Sequence, residues 1–418
     1  MRTKLLLIVV ISLGYLVSYA QPAKPIPGQY IVILKESAAI PLIKQLKQTT
    51  DRLQNAKDSK ADDLYIKLDN MRGEATDVFR KIEVEPPPGG REDEPEEEED
   101  DKSVYIGAVC GFTAKLTSAQ ATKLQADPDV QGVYQDYQIK PSPAVHGIAP
   151  PDVQITSQYT PCAVTTAGGS TNGSAKITWI WFIGSGIDGS HPDLNVQTNP
   201  PFAISFVPGE SWNDNSGQGT HIAGIAAAKN NNIGIVGVSA GAKVVPVKVL
   251  NSSGIATWSS ILAALNHVAM HNLPGDVVCL PLGGREGPDC YNCNPAVRDA
   301  INNLANAGLW IIISSGNEGG KAEGFCPGCT NGNRIFTVGS ISCVKTASIF
   351  SNFSPTIVDW VAVGEEVYST LPGGKYGTMS GTDMTVPVVA GIIHSKGAAP
   401  VSGGTVNCRG TNYRIAHR

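Results

Sequence analysis

Asp383 is the carboxylate best placed to do chemistry in this chain. It lies in Ser380-Gly381-Thr382-Asp383-Met384-Thr385-Val386-Pro387-Val388-Val389-Ala390-Gly391, where a glycine turn leads into an apolar, helix-compatible run. A carboxylate at a helix start accepts from exposed backbone N–H groups and meets the positive end of the helix dipole, which stabilises by roughly 0.3–1 kcal/mol. Asn317, in Gly316-Asn317-Glu318-Gly319, offers a side-chain amide donor. Gln218 stands in Gly217-Gln218-Gly219-Thr220-His221, and Gly184 closes the apolar Trp181-Phe182-Ile183 run. Gln218 is a neutral amide that takes no proton at useful pH, and Gly184 has no side chain to orient anything. Nucleophilic hydrolysis needs a nucleophile, a proton acceptor and a group that orients the acceptor. These three residues supply none of that relay. Asp188, His221, Thr382 and Thr385 are near in sequence, but catalysis is sensitive to misplacement of about 1 Å, so they are expected to stay outside a rebuilt one. His267 and His394 read as ordinary helix residues.

The chain has nine cysteines: Cys110, Cys162, Cys279, Cys290, Cys293, Cys326, Cys329, Cys343 and Cys408. Cys290-x-x-Cys293 and Cys326-x-x-Cys329 have the spacing of a four-thiolate zinc site. In an oxidising compartment such thiols pair instead, and disulfides with no metal are the expectation here. The odd number leaves a thiol over, for which Cys279 in an apolar strand is a candidate.

The elements that must position these residues follow from periodicity. Residues 28–35, GQYIVILK, alternate as a strand. Residues 111–139 follow the order strand, helix, strand, with Ser118 as the helix N-cap and Pro128 past its end. From Ile177 onward the chain alternates apolar strands (WIWFIG, AKVVPVKVL, DVVCLPLGG, LWIIISSGN, RIFTVGSI) with helical stretches (HIAGIAAAK, SSILAALNHVAMH, PAVRDAINNLANAG, MTVPVVAGIIHSK). That order predicts a parallel sheet with helices on both faces and functional groups at the carboxyl ends of its strands.

Residues 1–20 read as a signal peptide. Arg2 and Lys4 precede an apolar run, and Ser18-Tyr19-Ala20 offers a cleavage site, so a secreted, extracellular or secretory-vacuole protein is expected. Glu92 to Asp101 holds nine carboxylates in ten residues and predicts a disordered acidic loop over 84–103. Residues 141–175 are rich in Pro, Gly, Ser and Thr and read as a linker with the start of the mature region. The net charge of −5 and the absence of a basic field exclude a nucleic-acid binder, and no stretch after residue 20 is apolar enough to span a membrane. Asn172 and Asn251 are candidate glycosylation sites, and Asn352, followed by Ser354-Pro355, is a weaker one.

The motifs together resemble the subtilisin-like serine peptidases, closest to the proteinase K-like branch, over nearly the whole chain after residue 20. Gly184-Ser185-Gly186-Ile187 with His191-Pro192-Asp193-Leu194 is similar to the family's aspartate motif, and Gly184 stands at the aspartate. Gly217-Gln218-Gly219-Thr220-His221-Ile222-Ala223-Gly224 is similar to its histidine motif, with Gln218 at the base. Residues 380–391 match its serine motif, with Asp383 at the nucleophile. The resemblance implies an oxyanion donor at Asn317 and a substrate edge at Leu282, Gly283, Gly284, Ser315 and Gly316. Pro281 replaces the edge's serine and removes a backbone donor. It further implies an inhibitor-like α/β-sandwich prodomain over 21–140 that plugs the cleft, a peptidase domain over 176–418, and structural calcium at no locatable position. The expectation is therefore an α/β subtilisin fold in a chain that binds peptides, protease inhibitors or related proteases without cutting them. The rivals are an active serine endopeptidase and a structural or matrix protein.

Overall fold

The computed structural model describes residues 22–35, 37, 104–140, 145–146, 157–286 and 293–418. The signal-peptide segment 1–20, the acidic run 84–103, most of 141–156 and Cys290 lie outside the described residues.

The N-terminal unit is built on β1 (Lys24–Leu34), β2 (Val104–Ile106), β3 (Cys110–Lys115), α1 (Ser118–Gln125) and β4 (Val130–Ile139). β1 lies between β3 and β4, antiparallel to both, with Ile31 opposite Thr113 and Tyr134. Because side chains alternate across a strand, Val32 and Leu34 face α1 and join Phe112, Leu116 and Leu124 in a small core. Ile31 and Ile33 face the other way and enter the core of the larger domain. α1 begins one residue earlier than Ser118 would set it. Thr117 is the N-cap, accepting from Gln120 N while the Gln120 side chain accepts from Thr117 N.

The larger domain contains a ten-stranded sheet. Its centre is β6 (Ile180–Gly184), flanked by β7 (Lys243–Lys248) and β9 (Val277–Leu280), and continuing through β11 (Trp310–Ser314), β13 (Ile335–Ile341) and β14 (Val358–Val363), all parallel. β6 is buried along its whole length, as a strand covered on both faces must be. Phe182 and Cys279 face a core with α2 (Gln218–Ala227) and α5 (Val386–Lys396), and Trp181 and Ile183 face α3 (Trp258–His271) and α4 (Pro295–Asn306). The α/β expectation, with helices on both faces of a parallel sheet and a small α/β unit ahead of it, is met.

The two units are joined by hydrogen bonds as well as apolar packing. The short β8 (Ala256–Thr257) pairs antiparallel with the end of β4, with Ala256 opposite Ile139. Asn266 of α3 turns its Oδ1 to Gly107 N at 2.8 Å and Val109 N at 3.3 Å, and Asn303 of α4 donates to Ala108 O at 2.7 Å. Ser259 N donates to Asp136 at 3.2 Å. Further along, β5 (Val145–His146) pairs antiparallel with Ser380 and Met379 at the end of β16 (Lys375–Ser380).

Cys162 is bonded to Cys343 and Cys293 to Cys326. Cys279 is in neither disulfide, and burial pushes its thiol well up from the ordinary value. Among the described residues no helix is long and apolar enough to cross a membrane.

Candidate functional site

The residues singled out by sequence converge at the carboxyl ends of β6 and β11, with the first turn of α2 and the turn after β16 closing the site. This is the end of a parallel sheet where loops are free to diverge and build a cleft. Gln218 is the first residue of α2, and its Nε2 donates to Asp383 Oδ2 at 2.9 Å. Two side chains 165 positions apart are thereby paired.

Asp383 is 3% exposed. It does not cap the long helix as its position in sequence suggested. A 3-10 turn, Thr382–Met384, comes first, and α5 starts at Val386 with Thr385 before it. The turn carries the carboxylate away from the helix axis and toward Gln218. Burial pushes its pKa up to about 7, the nearby Glu318 charge adds to that, and the Ser314 and Gln218 side chains oppose it.

Asn317 is oriented by its neighbour. Its Oδ1 accepts from Thr382 N at 2.7 Å and Thr382 Oγ1 at 2.9 Å. A Cβ added at Gly381 would lie 3.4 Å from Asn317 Nδ2, so the amide nitrogen packs against the glycine turn. These two bonds fix the amide through its oxygen and leave Nδ2 as the group able to donate. Gly316 turns the chain here at φ +97, a conformation that glycine adopts without strain.

At Gly184 a Cβ would meet only Pro281 Cγ, at 3.9 Å. Its carbonyl accepts from Val249 N at 2.8 Å and Leu250 N at 3.0 Å, which ties the end of β6 to the end of β7.

Of the expected substrate edge, Gly284 lies against the N-terminal unit. A Cβ there would be 3.6 Å from Ile139 Cβ, and Ile139 is fully buried in the same core as Leu282 and Trp258. Gly283 is packed against Cys326 O. Ser315 is fully buried, with its Oγ donating to Asn352 O at 3.2 Å, so its side chain serves the core. Asn352, the weaker glycosylation candidate, is 1% exposed and is used by Ser315 O, which disqualifies it as an acceptor for sugar transfer. Asn172 is exposed and Asn251 half-buried, and each turns its Oδ1 back onto the serine two residues on.

The neighbours do not rebuild a relay. His221 is fully buried with Nε2 against Val367 O at 2.9 Å and Gly377 O at 3.2 Å. Asp188 holds Ser190 N and Gly373 N, contacts that keep its carboxyl below the usual range despite some burial. It lines an open cavity of about 470 Å³ with Trp212, Asn213 and Pro372.

Asp214 is a residue that sequence reasoning missed. Its Oδ1 accepts from Ser185 Oγ, Ser216 N and Gly217 N, and its Oδ2 from Thr220 N and Thr220 Oγ1, all between 2.7 and 3.0 Å. It serves the start of α2 from outside the helix and ties it to the end of β6, so it sets where Gln218 stands. Ser185 Oγ also accepts from Gly219 N at 2.9 Å, and the buried Lys248 ammonium donates to Ser185 O at 2.8 Å and pairs with Glu210 at 3.3 Å. Asp214→Ala is expected to cost about 2–4 kcal/mol, because several donors lose their only anionic partner at once. Chemical denaturation of the two proteins measures it, and a cost within about 0.5 kcal/mol contradicts the positioning role.

Among the described residues, the His, Cys, Asp and Glu side chains placed to share an ion are Cys293, Cys326 and Cys329. Such soft donors do not suit calcium.

Residues 179–395 match the subtilase family model, and residues 29–142 match the peptidase inhibitor I9 model. The chain is 34% identical over 281 residues to subtilisin amylosacchariticus of Bacillus subtilis subsp. amylosacchariticus, covering 66% of this chain and 68% of that one. It is 35% identical over 226 residues to subtilisin of Bacillus pumilus, covering 53% and 76%. A solved cold-adapted subtilisin-like serine proteinase is 26% identical, with a TM-score of 0.47 over 54% of this chain and 77% of its own. The larger domain of this chain is thus a subtilase domain preceded by an I9 inhibitor domain, and the protein belongs to the subtilase family.

Proposed function

We propose that this subtilase is a secreted pseudopeptidase, which holds peptides, its own I9 domain, protease inhibitors or related proteases without hydrolysing them. The observation that carries this reading is the Gln218–Asp383 pair. By family resemblance these positions belong to the base and the nucleophile, and here an amide N–H donates 2.9 Å to a buried acid. An amide cannot take a proton from a nucleophile, and position 383 carries no hydroxyl for a base to activate. Gly184 supplies no acid to orient a base. The binding half of the reading is supported by the retained Asn317 amide and by the place of Ile139 of the I9 domain, which pairs with Ala256 and lies against Gly284. The two disulfides suit a secreted protein.

Family membership alone favours an active endopeptidase, and one experiment separates the readings. The purified full chain is expected to hydrolyse neither casein nor short peptides, to take no label from a fluorophosphonate probe, and to keep its I9 domain covalently attached in a protease-free refolding. Intact mass and probe labelling check this. Turnover that persists through repurification, or a cut near residues 138–150 made by the chain itself, overturns the proposal. If calorimetry finds no binding of an isolated I9-domain peptide or a subtilase inhibitor at high micromolar concentration, a structural-body role replaces the binding one.

A further inference from the structure

Two acids meet where the I9 domain is seated on the larger domain, and the proposed function uses neither. Asp136 stands on β4 and is 0% exposed. Its Oδ2 accepts from Gln29 Nε2 at 2.7 Å, and its Oδ1 from Tyr137 N at 2.8 Å and Ser259 N at 3.2 Å. Ser259 is the second residue of α3, whose N-cap Thr257 takes Ser260 N at 3.0 Å. Asp136 therefore satisfies an open amide of that helix's first turn from across the domain boundary. Tyr105 of β2 stands on the same residue, donating to Ser259 O at 3.3 Å.

Glu286 belongs to the larger domain. It follows β10 (Gly284–Arg285), which pairs antiparallel with β12 (Phe325–Cys326). One of its oxygens accepts from Trp258 Nε1 and the other from Asn294 N at 3.1 Å. Trp258, fully buried, is the residue before Ser259, so the first turn of α3 presents one donor to each acid. Among the described residues neither carboxyl has a lysine or arginine partner, and the charge that acts on Glu286 is that of Asp136. Arg285 turns its guanidinium to Lys321 O, and Arg298 and Asp299 of α4 act on Tyr134, further along β4. Lys24 at the start of β1 is exposed.

We propose that Asp136 and Glu286 are an acid-strengthened latch, which grips the I9 domain in acidic surroundings and loosens it from the larger domain as the two carboxyls ionise and repel each other at the start of α3. Neutral donors replace the water around a buried carboxylate only in part, so its charge is costly there. Burial raises both groups, Glu286 to about 7 with the Asp136 charge adding to it, and the hydrogen bonds oppose the rise. Tyr105 is raised by burial and keeps its proton. Undocking returns water to both carboxyls, so the separated surfaces ionise at lower pH than the docked ones. The docked state then binds more protons, and docking weakens as pH rises through the docked values. The latch acts whether or not the cleft hydrolyses peptides.

Hydrogen exchange of the full chain tests this, with each rate expressed as protection against the intrinsic rate at the same pH. The amides of Gly107 and Val109, which donate to Asn266 of α3 across the boundary, report undocking, and Ile183 in the central strand β6 reports global unfolding. From pH 5.5 to 8.5 protection of Gly107 and Val109 is expected to fall at least about tenfold more than that of Ile183 in wild type. In Asp136→Asn/Glu286→Gln, which keeps an oxygen for Ser259 N and for Trp258 Nε1, the excess should be under about twofold. An equal excess in both proteins, or none in wild type, overturns the proposal. If the double variant does not fold, carbon-13 NMR of the wild-type carboxyls decides. A midpoint for Asp136 above the ordinary 3.8, together with the wild-type fall in protection, supports the latch, and a midpoint at or below 3.8 overturns it.

Discussion

Gly184→Asp, Gln218→His and Asp383→Ser introduced together are expected to raise peptide hydrolysis at least about 10³-fold over the natural chain, while Asp383→Ser alone raises it by nothing measurable. Gln218 Nε2 and Asp383 Oδ2 already stand 2.9 Å apart, within the reach a nucleophile and its base require. Asp214 and Ser185 hold the start of α2, so the residue at 218 is positioned by groups that the substitutions leave in place. A side chain at 184 has room, with Pro281 Cγ at 3.9 Å as the nearest neighbour of its Cβ. Asn317 keeps its amide oriented by Thr382, and one such donor accounts for roughly 10²–10³ in turnover where it meets a developing oxyanion. The single variant fails because a hydroxyl without a base is a weak nucleophile. Probe labelling at position 383 and hydrolysis after removal of the I9 domain are the readouts. A folded triple variant that neither hydrolyses nor labels would show that the positions have been matched wrongly or the cleft is closed.

Stability should fall as pH rises from about 4 toward 8 through Asp383, and Asp383→Asn should remove that part of the dependence. The sign follows from the direction of the shift. Burial raises the carboxyl to about 7 in the folded chain, against an ordinary value of 3.8. Below about pH 4 both states are protonated and the group is neutral toward folding. Between the two values the unfolded chain ionises first, binds fewer protons than the folded one, and is progressively favoured. Above about pH 7 both are ionised and the full cost is present, on the order of a few kcal/mol. Asparagine keeps the volume and an oxygen for Gln218 Nε2, and it has no charge to desolvate. Glu286, raised to about 7, and Asp359, raised to about 6, titrate nearby in pH, so the wild-type curve alone is ambiguous. Denaturation of both proteins at pH 4.5 and 8.5 isolates the term as a difference of differences. The variant should gain on wild type between the two values. An unchanged gap would mean that water or relaxation solvates the carboxylate, and the buried-acid description would be wrong.

Much of the larger domain could be read from the chain because its periods are strong and local. WIWFIG, DVVCLPLGG and LWIIISSGN became β6, β9 and β11, since an uninterrupted apolar run has no soluble face to show and is stable only inside a parallel sheet. The later strands β14, β15 (Val367–Leu371) and β16 and the C-terminal hairpin of Val401–Cys408 with Thr411–His417 were not legible. Their stretches mix polar, glycine and apolar residues, and they are strands because partners distant in sequence complete their hydrogen bonds. The site divides along the same line. Residue types and motif order alone pointed to positions 184, 218 and 383 together and showed that no histidine stands at 218. Only tertiary structure decided that Gln218 donates to Asp383, that Asp214 anchors the start of α2, that His221 faces strand carbonyls, and that Cys293 meets Cys326 and Cys329. A motif records chemistry within a few residues, whereas burial and hydrogen-bond partners are completed by segments distant in sequence, 165 positions for Gln218 and Asp383, and those are what make Asp383 a buried acid with a raised pKa in place of a helix cap.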